Sequence, residues 1–145
     1  MPPADGDLAM DWPFDGEEYE EEAKLRAETR KVLELPELPL SATCVRVPVL
    51  VGHAEAVWIE TEEPLEAQHA RELLARAPSL RVVDAPTPRA AAGVDEVLVG
   101  RIRPDRSADN GLAFFLACDN LRKGAALNGI QIAELLLARA RAAAA

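Results

Sequence analysis

Glu96-Val97-Leu98-Val99-Gly100-Arg101-Ile102-Arg103-Pro104, Ser107-Ala108-Asp109-Asn110-Gly111 and Leu112-Ala113-Phe114-Phe115-Leu116-Ala117-Cys118 form the stretch that decides the fold class. The first run is rich in branched apolar residues, which favours a strand over Glu96 to Arg103, ending at Pro104. Asn-Gly is the strongest short-range hairpin signal, because both residues tolerate the left-handed backbone of a tight turn. The third run is too apolar to leave a face in water, so the strand Leu112 to Cys118 is expected to be covered on both sides.

Working toward the N-terminus, Leu80 to Val83 reads as a short strand before a Pro86/Pro88 turn, and Leu65 to Ala77 as a helix. Ala54 to Glu62 alternates, with Val57 and Ile59 pointing one way and Trp58 and Glu60 the other. Ser41 to Leu50 is dense in β-branched residues; it predicts a strand with Thr43, Val45, Val47 and Val49 on one face and Cys44 and Arg46 on the other. With Gly52-His53 as their connection, these two strands are expected to form an antiparallel pair. Glu17 to Leu33 uses good helix formers, with an acid-rich first turn that suits the macrodipole. Met1 to Asp15 is a lead-in, with Trp12 and Phe14 as its anchors. On the other side, Arg122 to about Arg141 predicts one long helix, apolar at Ala126, Ile130, Ala133 and Leu137 and also at Ile132, Leu135 and Leu136. So wide a stripe calls for burial on a sheet, on a partner, or on both. The order gives an α+β fold: a mostly antiparallel mixed sheet with helices packed on one face. Residues 1–16 form an acidic lead-in and 17–145 one domain.

The totals narrow the function. A net charge of −9 argues against a nucleic-acid surface, which needs a basic stripe. Much of that charge is local: residues 1–34 hold eleven acids against four bases. No run approaches the roughly 18 apolar residues of a membrane span, and no signal peptide opens the chain, so a cytoplasmic location is expected. Cys44 and Cys118 lie in apolar runs without a CxxC and read as buried free thiols. With two scattered histidines and two scattered cysteines there is no metal constellation. GxGxxG and GxxxxGK[ST] are both absent, so these residues contain no nucleotide-phosphate loop.

Few residues remain for chemistry. His69, among charged neighbours, reads as a surface residue. His53 follows Gly52 at a strand end, seven residues after Arg46. An arginine in an apolar strand calls for an anion, and its planar fork suits a carboxylate; an imidazole beside it could move a proton. The plainer alternative is a structural ion pair with Glu55 or Glu60. Glu21, Lys24, Glu28 and Lys31 line one face of the first helix. They are either solvated ion pairs or a mixed-charge face for an ammonium and a phosphate. Asp119 to Ala126 joins the apolar strand to the last helix with small residues, which would let a ligand approach free N–H groups.

Three runs together closely resemble the C-terminal half of bacterial aspartate-semialdehyde dehydrogenases: Ser41 to Val49 with Gly52-His53, Val99 to Arg103, and Asp119 to Asn128. Glu28 to Leu33 also fits that family's polar helix. The resemblance runs from about Glu17 to Leu137. It implies the C-terminal domain of a glyceraldehyde-3-phosphate-dehydrogenase-like enzyme and a subunit interface formed by its sheet, in a homodimer or homotetramer. It also implies NADPH-dependent reduction of L-aspartyl 4-phosphate, through a cysteine thioester, to aspartate 4-semialdehyde and phosphate, toward lysine, threonine and methionine. By the same resemblance Arg46 grips the substrate α-carboxylate and His53 is the catalytic acid–base. Glu21 contacts substrate, Lys24 binds phosphate, and Asn120 touches the nicotinamide end of NADP.

The departures are as informative. The Rossmann segment, which carries most of the NADP site, and the Asn-Cys segment bearing the nucleophile are missing from these residues, and Cys44 is not that nucleophile. The loop from Asp84 to Arg89 is short, and Gly129 stands where alanine is common. A truncated chain or partial gene product, inactive alone, is the expectation. A related acyl-phosphate reductase of the N-acetylglutamyl-phosphate type and a non-catalytic pairing module are the alternatives.

Overall fold

The computed structural model describes residues 14, 15 and 17–143. Its chain divides into two compact units, Met1–Pro48 and Val49–Ala145. Trp12 lies outside the described residues, as does the side chain of Phe14.

In the first unit, β1 (Phe14–Asp15) pairs antiparallel with β2 (Glu18–Tyr19), which leads into α1 (Glu20–Leu33). Glu20, Glu21 and Glu22 occupy the positive end of α1 and Arg30 and Lys31 the negative end, as the dipole favours. Glu22 reaches back so that its Oε2 accepts the Tyr19 N–H (3.1 Å), satisfying a donor the helix cannot. Glu34 stops the helix in the left-handed region (φ 57°), and Arg30 Nε then donates to the Leu38 carbonyl (2.9 Å).

Here one expectation fails. Residues 41–49 have no regular secondary structure, and the expected strand Ser41–Leu50 does not pair with its successor. β-branching favours an extended backbone, but a strand also needs a ladder. Cys44 gives its N–H to the Glu22 carboxylate instead, and Pro48 has none to give. Val45, Val47 and Val49 are left 73%, 57% and 44% exposed.

The second unit is a four-stranded sheet in the order β3-β6-β5-β4. β3 (His53–Glu60) pairs over its full length with β6 (Gly111–Cys118), from His53↔Cys118 to Glu60↔Gly111. β5 (Val97–Asp105) joins β6 in a hairpin, as expected, but the loop is the five residues 106–110: Gly111 opens β6 opposite Asp105, and neither Asn110 nor Gly111 takes left-handed backbone. β4 (Leu80–Val82) adds to β5 in parallel, after α2 (Ala67–Arg76), which packs on both. α3 (Pro88–Ala91) packs on β6; its N-cap Thr87 accepts the Ala90 N–H (3.1 Å), and Pro88 fills a first-turn position where no N–H is needed. This is the expected α+β architecture, a mostly antiparallel mixed sheet with helices packed against it.

Ala91, Leu98 and Ala117 form the core with Val83 and Val94 against them, and Val99 and Leu112 are also fully buried. Each large apolar side chain so enclosed stabilises by about 1.5–3 kcal/mol. Gly100 is required by crowding: a Cβ there would lie 2.2 Å from the Val83 carbonyl oxygen. Cover of β6 is less complete than expected, since Phe114, Phe115, Leu116 and Cys118 are half-buried.

β5 runs through Pro104 rather than ending at it. β4 stops pairing at Val99, so the far end of β5 is an edge, where a residue lacking an N–H costs no ladder bond on the open side. A bulge interrupts β5 as well: Gly100 pairs with Phe115 and Arg103 with Ala113, leaving Arg101 and Ile102 opposite Phe114. Arg101 takes left-handed backbone there (φ 56°), at a steric cost of about 1–2 kcal/mol.

The expected single helix from Arg122 is broken. Ala125 (φ −144°, ψ −118°) leaves helical geometry inside the turn Arg122–Ala126 and kinks the chain ahead of α4 (Leu127–Ala143). No residue of α4 is buried; Ile130, Ile132, Leu135, Leu136 and Leu137 are all more than half exposed. The burial expected on the sheet is therefore not made. Among the described residues, no helix is long and apolar enough to cross a membrane.

Candidate active site

In the second unit the candidate residues His53 and Asn120 lie where β3 begins and β6 ends. Gly52 N–H donates to Asn120 Oδ1 (2.9 Å), joining two residues 68 positions apart. Gly52 has φ 103°, and a Cβ on it would meet the Cys118 carbonyl oxygen at 3.1 Å and Pro88 Cβ at 3.2 Å. Only glycine fits so twisted and close an approach. The next residue, His53, is exposed at the first position of β3, opposite Cys118. With the Asn120 oxygen engaged by Gly52, its amide nitrogen points to other partners than that backbone.

Asp119 organises this corner. It is 4% exposed, with Oδ2 accepting the Gly93 N–H (2.7 Å) and Oδ1 the Leu121 N–H (2.8 Å). The Gly93 bond, aided by the Leu121 and Arg122 N–H groups and the Arg122 charge, holds its carboxyl below the usual range against the opposing effect of burial. A depressed carboxylate contributes stability above its unfolded pKa and loses it as pH falls through the folded value. Stability is therefore expected to fall below about pH 4. Urea unfolding at pH 3 and pH 6 should show Asp119→Asn weaker at pH 6, with a shallower acid loss, since Asn keeps one acceptor oxygen of two. An unchanged acid slope would remove Asp119 from this role.

The Cys118 thiol is pushed up, mainly by burial and then by the Glu55 and Asp119 charges, with the His53 N–H and Lys123 opposing. At neutral pH it stays a thiol, the reverse of an activated nucleophile. Both cysteines are half-buried rather than buried. His69 is exposed, as expected of a surface residue.

In the first unit, Glu21 and Lys24 lie one turn apart and pair at 3.5 Å, each with its side chain 54% exposed. Such a pair is worth at most about 1 kcal/mol and exchanges readily for other charges. Arg46 is exposed, two residues beyond Cys44, whose backbone is fixed to Glu22. Thus Glu21 is brought to Lys24, and His53 to Asn120 through Gly52. Two organisers went unread in the sequence, Glu22 and Asp119. Glu22 was concealed because Tyr19, rather than Ser, Thr, Asp or Asn, precedes it at the cap; an acid just before a turn was the only hint of Asp119. Among the described residues no group of three or more His, Cys, Asp or Glu could hold a metal.

Residues 14–123 match the family described as the dimerisation domain of semialdehyde dehydrogenases. The chain belongs to that family. Among curated relatives of this semialdehyde dehydrogenase domain, aspartate-semialdehyde dehydrogenase of Mycolicibacterium smegmatis is 53% identical over 134 residues, covering 90% of this chain and 39% of that protein. The Corynebacterium melassecola enzyme is 52% identical over 137 residues, covering 93% and 39%. Among solved structures, aspartate semialdehyde dehydrogenase II of Vibrio cholerae, described as complexed with ASA, matches with a TM-score of 0.83 and 42% identity, over 89% of this chain and 40% of that one. The chain thus spans about two fifths of the length of these relatives. The resemblance to the C-terminal domain of aspartate-semialdehyde dehydrogenases holds, in sequence and in fold.

Proposed function

We propose that this chain is the substrate-holding and proton-transferring part of an aspartate-semialdehyde dehydrogenase. The reaction is the reduction of L-aspartyl 4-phosphate to aspartate 4-semialdehyde with release of phosphate, on the way to lysine, threonine and methionine. Identity of 53% to such an enzyme over 90% of the chain carries this reading.

Each side chain then has a task. Arg46 clamps the α-carboxylate through two parallel N–H bonds. Glu21 takes the ammonium and Lys24 the phosphate, each giving up the weak Glu21–Lys24 pair for a ligand charge. His53 accepts the proton of the attacking thiol and returns one to the substrate oxygen. That thiol lies outside these 145 residues: Cys118 is held neutral, and Cys44 sits in the Ser41–Val49 run without an adjacent Asn. The nicotinamide cofactor, NADPH, supplies hydride when bound. The amide nitrogen of Asn120, oriented by the Gly52 N–H, fits a hydrogen bond to its carboxamide end. Residues 17–145 act as the domain and 1–16 as an acidic lead-in. The domain pairs with itself, as a homodimer or homotetramer.

The test is a hybrid in which this chain replaces the matched segment of the Mycolicibacterium smegmatis enzyme. NADPH formation from aspartate semialdehyde and phosphate is followed for the hybrid and for the 145-residue chain alone. Turnover by the hybrid only is expected; a hybrid that folds without turnover contradicts the proposal.

A further inference from the structure

Glu22 is 8% exposed, one of two charged side chains buried among the described residues, Asp119 being the other. A buried carboxylate is tolerated where donors meet its oxygens. Glu22 has two backbone donors: Oε2 accepts the Tyr19 N–H (3.1 Å) and Oε1 the Cys44 N–H (2.7 Å). The first bond caps α1, and a glutamine oxygen could make it as well. The second reaches 22 residues along the chain and does nothing for the helix. It calls for a second acceptor oxygen, which an amide lacks.

That second bond holds the Ser41–Val49 run. After α1 ends at Glu34, two points fasten the returning chain to the helix: the Leu38 carbonyl on Arg30 Nε (2.9 Å) and the Cys44 N–H on Glu22. Arg30 and Glu22 stand about 12 Å apart along the axis, so the segment runs back toward the start of α1. No ladder secures residues 41–49. Arg46 stands two residues beyond Cys44, within about 7 Å of chain from the fastened N–H. On the helix, Glu21 directly precedes Glu22 and pairs with Lys24 (3.5 Å) on the exposed side. Glu22, about 100° further round, turns to the returning segment. One buried carboxylate thus joins the two pieces of the first unit that carry Arg46 and the Glu21–Lys24 pair.

We propose that Glu22 is a positioning residue, setting Arg46 at a fixed separation from Glu21 and Lys24. This rests on the substrate roles given to those three residues under the proposed function and adds what aligns them. An α-carboxylate and an α-ammonium share one carbon, so the groups that take them have to be held together. A loose run carrying Arg46 would lose binding energy to its own ordering; the Glu22 bond orders it beforehand. Glu22 touches no substrate atom and acts through Arg46.

Initial rates of the active hybrid test this, with circular dichroism confirming the fold of each variant. Cys44→Pro deletes the N–H and leaves the helix cap intact, in a run that already holds Pro48 and no ladder. It should raise KM for aspartate semialdehyde about tenfold, with kcat and KM for NADP within about threefold of the parent. Cys44→Ala keeps the N–H and should leave all three unchanged. Glu22→Ala should match Cys44→Pro in KM and also melt lower, since the cap is lost. With Arg46→Lys in place, Cys44→Pro should raise KM less than about threefold, because the clamp it aligns is already weakened. Folded Cys44→Pro with KM within twofold of the parent, an equal rise in Cys44→Ala, or the full rise in both Arg46 backgrounds would overturn the positioning role. Each of those leaves the proposed function standing. A folded hybrid without turnover contradicts that function and this role together.

Discussion

Replacing His53 by Gln in the active hybrid is expected to lower kcat by about a hundred- to ten-thousand-fold, the range for loss of a positioned acid–base group. Glutamine keeps a similar reach and can still hydrogen-bond, but it cannot carry a proton at neutral pH. The position itself is held by the backbone: Gly52 is tied to Asn120, and His53 opens the β3–β6 ladder opposite Cys118. The fold around the residue should therefore survive the change. KM should move by no more than about threefold, because a group that acts only on the proton contributes little to ground-state binding. The pH profile of kcat should lose the limb that the imidazole supplies. An unchanged kcat, or a lost kcat with the profile intact, would take His53 out of the chemistry.

Arg46→Lys is expected to act on the other parameter. A lysine keeps the charge but presents a single point of contact, so one of the two parallel bonds to the carboxylate is lost. Hydrogen bonds to charged groups are worth about 1.5–3 kcal/mol, which puts the rise in KM for aspartate semialdehyde at roughly ten- to a hundredfold. Initial-rate kinetics on the hybrid separate this from a change in kcat, which should be small. KM within twofold of the parent, on the same charge-assisted scale, would mean that Arg46 does not hold the carboxylate.

Elements whose signals are local were legible in the sequence. The cluster of turn-forming residues before Leu112 marked the hairpin, though its loop is 106–110 rather than a tight Asn110-Gly111 turn; alternation in β3 marked its two faces, and the acid-to-base gradient marked α1. What escaped depends on partners. The run from Ser41 to Leu50 has the composition of a strand, but composition does not report whether a neighbouring strand takes up its N–H groups; Glu22, 22 residues away, takes the Cys44 N–H instead. Pro104 looks like a stop until β4 is seen to end short of it. The break at Ala125 and the exposure of α4 are equally hidden, since a wide apolar stripe shows only that something must cover it. The family match ends at residue 123, so α4 stands outside the part described as the dimerisation domain. Arg46 and His53 stand out in the sequence by residue type and position, and Asn120 only through the resemblance. The 68-residue link from Gly52 to Asn120 that ties two of these segments together required the structure.

The most direct measurement is the steady-state rate of the Mycolicibacterium smegmatis hybrid with two semialdehydes, aspartate semialdehyde and N-acetylglutamate semialdehyde, each with phosphate and NADP. Turnover of the first, little or none of the second, and none with the 145-residue chain alone is the predicted result. A folded hybrid that prefers the N-acetylated substrate, or turns over neither, would contradict the assignment.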